Sequence, residues 1–376
     1  MIYLDYAATT PMSDHSLNIY IKAAKNAFGN SSSLHDIGDI AARTLQASKK
    51  LIANMIGGNE KRLYFTGSGS EANILAIQSL LNGIHPSKNH IITTQIEHSS
   101  LYTFFKRLQT EGFEVSFLKP NKHGQISIED VINEIKDHTG LVSIQHGNSE
   151  LGVIQQIEEI GLCLKKQGIL FHSDCVQTFG KLPIHVEKGY VDAISISSHK
   201  IYGPKGIGAA YIDSSAYWRP VIPGTTHESG FRPGTVDVPA AAAFAAAAKD
   251  ISDKMNEHSK HYLELRSQFI HAIKPYKDKL ILLNENSEHI LPNILPVIVS
   301  GIEGQYLMLE CNRYGFAIST GSACQVGMQA PPRSLLALGI DEQKAKQYIR
   351  ISLGEQTKAK ELESFTRTLI NIIEHF

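Results

Sequence analysis

The chain has 376 residues, with 36 Lys or Arg against 37 Asp or Glu and a formal net charge of −1. That length can bury a large core and predicts one large domain with a smaller one. The near-neutral balance leaves no electrostatic footprint for nucleic acid or an acidic membrane surface.

Met1-Ile-Tyr-Leu-Asp-Tyr6 has no basic region followed by an apolar core, so no signal peptide is expected. Residues 1–16 read as irregular, with turn-forming Asp5-Tyr-Ala-Ala-Thr-Thr-Pro11. Helical spacing covers Leu17 to Ala27 and Ile37 to Met55, and Gly57-Gly58 ends the second helix. Leu63 to Thr66 predicts a strand, Gly67-Ser-Gly-Ser-Glu71 a turn, and Ala72 to Leu81 a helix. Strand, small-residue turn and helix together point free N–H groups at an anion, although an ordinary N-capped helix has the same pattern.

Strands and helices then alternate. Strands are predicted at His90 to Thr94, Glu114 to Leu118, Leu141 to Gln145, Gly168 to His172 and Val191 to Ile196, with helices at Ile128 to Ile135 and Ile157 to Gln167. Such repeated units imply an α/β fold with a mostly parallel, seven-stranded type of sheet covered by helices. In these sheets the ligand crevice lies beyond the strand ends. His98, Asn148, Asp174 and Lys200 all fall just after predicted strands.

Pro239 to Ala248 is Ala-rich and too short to span a bilayer, so it reads as a tightly packed interior helix. A long polar helix follows near 251–274, then strands at Leu280 to Leu283 and Ile294 to Val299, a helix from Gly304 to Arg313, a further helix starting near Pro332, a strand ending at Leu353, and a last helix to about Glu374. This texture predicts a smaller α+β domain built from 1–16 and 251–376, with 17–250 forming the large one. Cys163, Cys175, Cys311 and Cys324 are far apart and form no CxxC. That spacing predicts no metal site, no disulfide framework, and a reducing, cytoplasmic setting.

The chemistry gathers around Ser195-Ile-Ser-Ser-His-Lys-Ile-Tyr-Gly-Pro-Lys-Gly-Ile-Gly208. A lysine at a strand end, flanked by hydroxyls and a histidine, suits a Schiff base with an aldehyde cofactor, because a partly dry setting makes its amine nucleophilic. Such a cofactor also needs an acid facing its ring nitrogen, and Asp174 precedes Lys200 by one strand–connection–strand. Arg350 suits a bidentate clamp on a substrate carboxylate. Taken singly, Lys200 could be a surface lysine, Asp174 a helix cap, His98 a buried core histidine and Arg350 a surface ion-pair partner. It is their joint placement that favours the site.

Asp5-Tyr-Ala-Ala-Thr-Thr-Pro11, Glu97-His98, Asp174-x-x-Gln177, Ser197-Ser-His-Lys-Ile-Tyr-Gly-Pro-Lys-Gly206, Arg232-Pro-Gly-Thr235, Ser322-Ala-Cys324 and Arg350-Ile-Ser-Leu-Gly354 together resemble the cysteine desulfurases, pyridoxal-phosphate (PLP) enzymes of fold type I in the class V aminotransferase group. The resemblance runs in order over nearly the whole chain. It implies that Lys200 carries PLP, that Asp174 meets the pyridine nitrogen and Gln177 the ring hydroxyl, and that His98 stacks on the ring. It places Gly69, Ser70, Ser197 and His199 on the phosphate, with Thr235 reaching the phosphate of a second subunit in a homodimer with shared sites. It makes Cys324 the nucleophile that takes sulfur from L-cysteine as a persulfide, and Arg350 the carboxylate anchor. The implied partners are an iron–sulfur scaffold or a tRNA-thiolation enzyme as sulfur acceptor, with no membrane and no direct nucleic-acid contact.

Three positions depart from the family pattern. Asn148-Ser149 stands where members often have two Asn, leaving the cofactor or substrate contact to Asn148 or Ser149. Gly67-Ser-Gly-Ser-Glu71 is richer in small residues than usual. Cys175 sits where Ala is commoner and reads as a core residue, as do Cys163 and Cys311. Cys324 instead lies in a long stretch of small residues, Ser319 to Pro332, expected to form an exposed mobile loop suited to a thiol that visits substrate and then an acceptor. A related PLP lyase, such as a selenocysteine lyase, and a silent sulfur-carrier subunit are the alternatives. The loop cysteine speaks against the first, and the intact Lys200, Asp174, His98 and Arg350 set against the second.

Overall fold

The structure, a computed structural model, describes residues 1–285, 287–321 and 331–376. Its strands are β1 (Ile2–Tyr3), β2 (Leu63–Thr66), β3 (His90–Thr94), β4 (Glu114–Leu118), β5 (Thr139–Ser143), β6 (Leu170–Asp174), β7 (Ala193–Ser197), β8 (Gly208–Ile212), β9 (Leu280–Leu282), β10 (Ile294–Val299), β11 (Phe316–Ala317) and β12 (Tyr348–Ser352). Seven of them form one sheet in the order β2-β8-β7-β6-β5-β3-β4. Only β8 runs against its neighbours β2 and β7, so the expected mostly parallel sheet is present. Strands β3, β5 and β7 are buried along their whole length, which their Ile, Leu, Val and Ala content permits and two covered faces require.

Helices α1 (Asp14–Asn26), α2 (Asp36–Met55), α3 (Gly69–Gly83), α4 (Ser99–Thr110), α5 (Ile128–Glu134), α6 (Ile157–Lys165) and α7 (Val238–Asp253) surround this sheet. The Asp237 side chain caps α7 by accepting from the Ala240 N–H, and Pro239 opens its first turn. Its alanines are buried and let α1 and α2 pack closely. A second core lies around the antiparallel sheet β12-β10-β9, with α8 (Met255–Ile273), α9 (Gly304–Arg313) and α12 (Ala359–His375) packed on it. The short helices α10 (Arg333–Ala337) and α11 (Glu342–Ala345) complete that part.

Neither α4 nor β8 is anticipated from the sequence. The Gly-Ala-Ala-Tyr-Ile of β8 has little of the β-branched, bulky content that marks strands. Its small residues answer a packing need. A Cβ at Gly208 would meet the Ser68 carbonyl carbon at 2.6 Å and the Gly69 nitrogen at 2.8 Å, so β8 can lie against the start of α3 only as glycine there. The N-terminal segment is better ordered than expected. Strand β1 pairs with β11, and Asp5 bridges to Ser352. No helix among the described residues is long and apolar enough to cross a membrane.

Candidate active site

The C-terminal ends of β3, β5, β6 and β7 open toward one edge of the large sheet. A cavity of about 200 Å³ lies there, closed by the N-terminal segment and by β12. Its lining includes Gly69, Ser70, His98, Ser149, Asp174, Gln177, Ser197, His199, Lys200 and Arg350. Residues from both ends of the chain, Ala7 and Arg350 among them, therefore share one small space.

Lys200 ends the turn that follows β7. Its Nζ donates to the carbonyl oxygens of Ala7 at 2.6 Å and Ala8 at 2.8 Å. Burial, helped by the nearby Arg350 charge, pulls its amine from the ordinary lysine range down to about 7. A lysine so placed is partly neutral and nucleophilic near neutral pH. His199, beside it, is driven down to about 4 by burial and by the Lys200 charge, so its ring is a neutral hydrogen-bonding group. Its Nδ1 lies 3.0 Å from the Thr9 hydroxyl.

Asp174 closes β6. Its Oδ1 accepts from the Val176 N–H at 2.9 Å and its Oδ2 from the Asn73 amide at 2.8 Å, which fixes the carboxylate in the cavity wall. Gln177 donates from Nε2 to the Ala7 carbonyl and leaves Oε1 buried without a partner among the described residues. His98 caps α4, and its Nδ1 accepts from the Ser100 N–H, which in the neutral ring puts the proton on Nε2.

The start of α3 meets the end of β7. Ser68 caps α3 by accepting from the Glu71 N–H, as an ordinary cap does, and Ser68, Gly69 and Ser70 also line the cavity. A Cβ at Gly69 would lie 2.8 Å from Val176 Cγ2 and 3.1 Å from Ser197 Cβ. Ser197 Oγ is buried without a partner among the described residues. Arg350, in the middle of β12, is almost wholly buried, and its ends are held by Ser149 and Asp5.

Two proposed residues line no part of this cavity, and a third is not among the described residues. Asn148 does not line the cavity: its amide donates to the Ile96 carbonyl and its Oδ1 accepts from the Glu150 and Leu151 N–H groups. Of the pair left open by the sequence, Ser149 is the one in the cavity wall. Thr235 is exposed and outside the cavity of its own chain. Cys324 lies outside the described residues. The sequence reading missed Asn73, Gln145 and the carbonyls of Ala7 and Ala8. Asn73 was within reach, since it sits four residues after Gly69 and so shares its face of α3. Backbone carbonyls leave no side-chain signature to read.

The chain matches the class V aminotransferase family over residues 2–365. A Bacillus subtilis (strain 168) protein named as a NifS cysteine desulfurase is 47% identical over 369 residues, covering 98% of this chain and 93% of its own length. The chain belongs to the cysteine desulfurases of the class V aminotransferase family. The Proteus mirabilis (strain HI4320) cysteine desulfurase IscS is 36% identical over 96% of this chain and 90% of its own. Among solved structures, a NifS-like protein superposes with a TM-score of 0.93 at 30% identity, covering all of both chains. The structure of SspA in complex with cysteine superposes at 0.81 and 31% identity, over 94% of this chain and 99% of its own. The family uses PLP.

Proposed function

We propose that this protein is a PLP-dependent cysteine desulfurase that converts L-cysteine to L-alanine and lodges the sulfur on Cys324. The observation that carries the reading is one cavity in which a buried, near-neutral Lys200 faces a fixed carboxylate, Asp174, and a buried guanidinium, Arg350.

The residues present fit the cofactor. The unpartnered Ser197 hydroxyl, the Gly69 approach and the neutral His199 form a cradle for its phosphate at the start of α3. The unpartnered Gln177 Oε1 suits its ring hydroxyl. Asp174 suits a protonated ring nitrogen, and Lys200 its aldehyde. When bound, PLP supplies an electron sink for the substrate carbon.

The chain's own groups do the rest. Arg350 orients the substrate by its carboxylate. Lys200 Nζ takes the proton from the substrate α-carbon and returns one to the product, a task suited to an amine near neutral. The Cys324 thiolate forms a bond to the substrate sulfur as the carbon–sulfur bond breaks. The electron pair of the broken bond stays with the β-carbon, which takes up a proton to give alanine, and Cys324 ends as a persulfide. The overall exchange is redox-neutral. His98, with its proton on Nε2, is placed to stack and to shuttle protons at the cavity mouth.

By the same reading the protein works in the cytoplasm as a homodimer in which Thr235 reaches the other subunit's phosphate site, and the persulfide passes to a protein of iron–sulfur assembly or of tRNA thiolation. The exposure of Thr235 in the single chain supports that placement. Purified protein supplied with PLP, L-cysteine and a thiol reductant should release alanine and sulfide in equal amounts. Transamination products, or alanine without sulfide, would refute it.

A further inference from the structure

The N-terminal segment joins two sets of partners. Its strand pairs with the small part of the molecule, and its next residues face the cavity. Asp5 stands at the crossing. Its Oδ1 accepts from Arg350 Nη2 at 2.7 Å, while Nη1 donates to the Ser149 carbonyl at 3.0 Å. The Arg350 side chain is 1% exposed, and its Nε is buried without a partner among the described residues. A guanidinium has five N–H donors in one plane. Two anchors on its two ends fix that plane and leave donors unused in the cavity wall.

We propose that Asp5 is a positioning residue for carboxylate recognition: it holds the Arg350 guanidinium so that its unbonded N–H groups are presented to the carboxylate of the amino-acid substrate. The inference rests on the reading of Arg350 as the carboxylate anchor. Two consequences of Asp5 oppose each other. Its negative charge weakens the pull of Arg350 on any anion, whereas its hydrogen bond fixes the geometry. Paired N–H···O contacts to a carboxylate demand a fixed plane, and a buried cation stripped of its partner turns toward whatever acceptor is near. Geometry therefore outweighs charge, and removing Asp5 weakens carboxylate binding.

The Asp5 backbone does not depend on this pair. The Tyr3 hydroxyl donates to the carbonyls of Asp5 and Thr9, both at 2.9 Å. Ser352 N–H donates to Leu4 at 2.8 Å, and Ala7 N–H to the Ser352 hydroxyl at 2.9 Å. Truncating the side chain leaves these in place, so its effect falls on Arg350.

The test uses the PLP-loaded enzyme and two ligands that carry no sulfur to lose. L-alanine and ethylamine, the same amine without the carboxylate, are titrated while the cofactor absorbance is followed. Wild type should bind alanine far more tightly than ethylamine. Asp5→Ala should raise the apparent Kd for alanine about tenfold and leave that for ethylamine within about twofold. Asp5→Asn, which keeps an oxygen acceptor, should recover most of the loss. Should Asp5→Ala not fold, Asp5→Leu fills the space and carries the same prediction. Alanine binding that is unchanged or tighter without Asp5 would overturn the proposal, as would equal weakening of both ligands, which marks general damage. A wild type that does not discriminate alanine from ethylamine would instead remove the assignment of Arg350, and this proposal with it.

Discussion

The large sheet has a polar cluster at each end, and the two are built differently. Where the strands begin, His90 Nδ1 lies 2.7 Å from the Thr139 hydroxyl and its Nε2 lies 2.9 Å from the Ser116 hydroxyl. Ser116 in turn donates to Glu134, while Glu114 meets both Lys136 and His138. Every member has a partner. Where the strands finish, Ser197 Oγ, Gln177 Oε1, Asn73 Oδ1 and Arg350 Nε are buried without one among the described residues. Leaving a buried polar atom unpaired costs about 1–3 kcal/mol. A closed network is structure, whereas a group of open valences in one cavity is a site waiting for its ligand. Histidine, serine and acid content alone does not separate the two ends.

Breaking the open end should cost function before stability. The largest effect is expected at Lys200. Lys200→Ala should fold, fail to form a reducible lysine–PLP adduct, and lose activity by more than about 10³-fold. A reducible adduct on another lysine would move the site. Next comes Asp174→Asn, which keeps the shape and removes the charge. Loss of a buried charge-assisted bond is worth on the order of 2–4 kcal/mol, or about 30- to 10³-fold in rate. A rate within twofold of wild type would sink the assignment.

A matched pair sharpens the contrast. Ser197→Ala should weaken PLP binding about tenfold without lowering the melting temperature of the cofactor-free protein, because that hydroxyl has no partner to lose among the described residues. Thr139→Val at the closed end should do the reverse. It strands His90 Nδ1 and the Lys136 N–H, lowering stability by about 1–3 kcal/mol with PLP affinity intact. Equal behaviour of the two variants in calorimetry and PLP titration would erase the distinction.

The last contrast is a pH dependence. Burial holds Lys200 near 7, below its ordinary 10.5, so between those values the unfolded chain binds more protons than the folded one. Stability of the cofactor-free protein should therefore fall as pH drops from about 10.5 toward 7 and level off below. Lys200→Met removes this penalty. Its gain in melting temperature over wild type should be larger at pH 7 than at pH 10. A gain independent of pH would mean that Lys200 is not held near neutral.

Much of this was legible in the sequence because strand-end residues carry their own signal. His98, Asp174 and Lys200 each follow an apolar run, and a parallel sheet brings such positions to one edge. Arg350 required the small sheet to deliver β12 beside that edge, a placement that its residue type suggested and the motif resemblance supported. The roles of Asp5, Ala7 and Ala8 were hidden because the N-terminal segment has no periodicity. Its order comes from contacts with residues 190 to 350 positions away, such as His199, Lys200, Arg350 and Ser352. Asn148 shows the opposite case. It follows a strand as the others do, yet its side chain bonds the Ile96 carbonyl and the Glu150 and Leu151 N–H groups, and Ser149 lines the cavity in its stead.

The central claim is that sulfur leaves substrate cysteine and comes to rest on Cys324. Burial pushes the thiols of Cys175 and Cys311 up to about 12, which keeps both protonated and poor nucleophiles. Brief exposure of the PLP-loaded protein to L-cysteine without reductant, followed by peptide mass spectrometry, reads the outcome directly. The account predicts one added sulfur on the peptide containing Cys324, none on those containing Cys163, Cys175 or Cys311, and none anywhere in Lys200→Ala. Sulfur on one of the other three cysteines, or full sulfide release by Cys324→Ser, would contradict it.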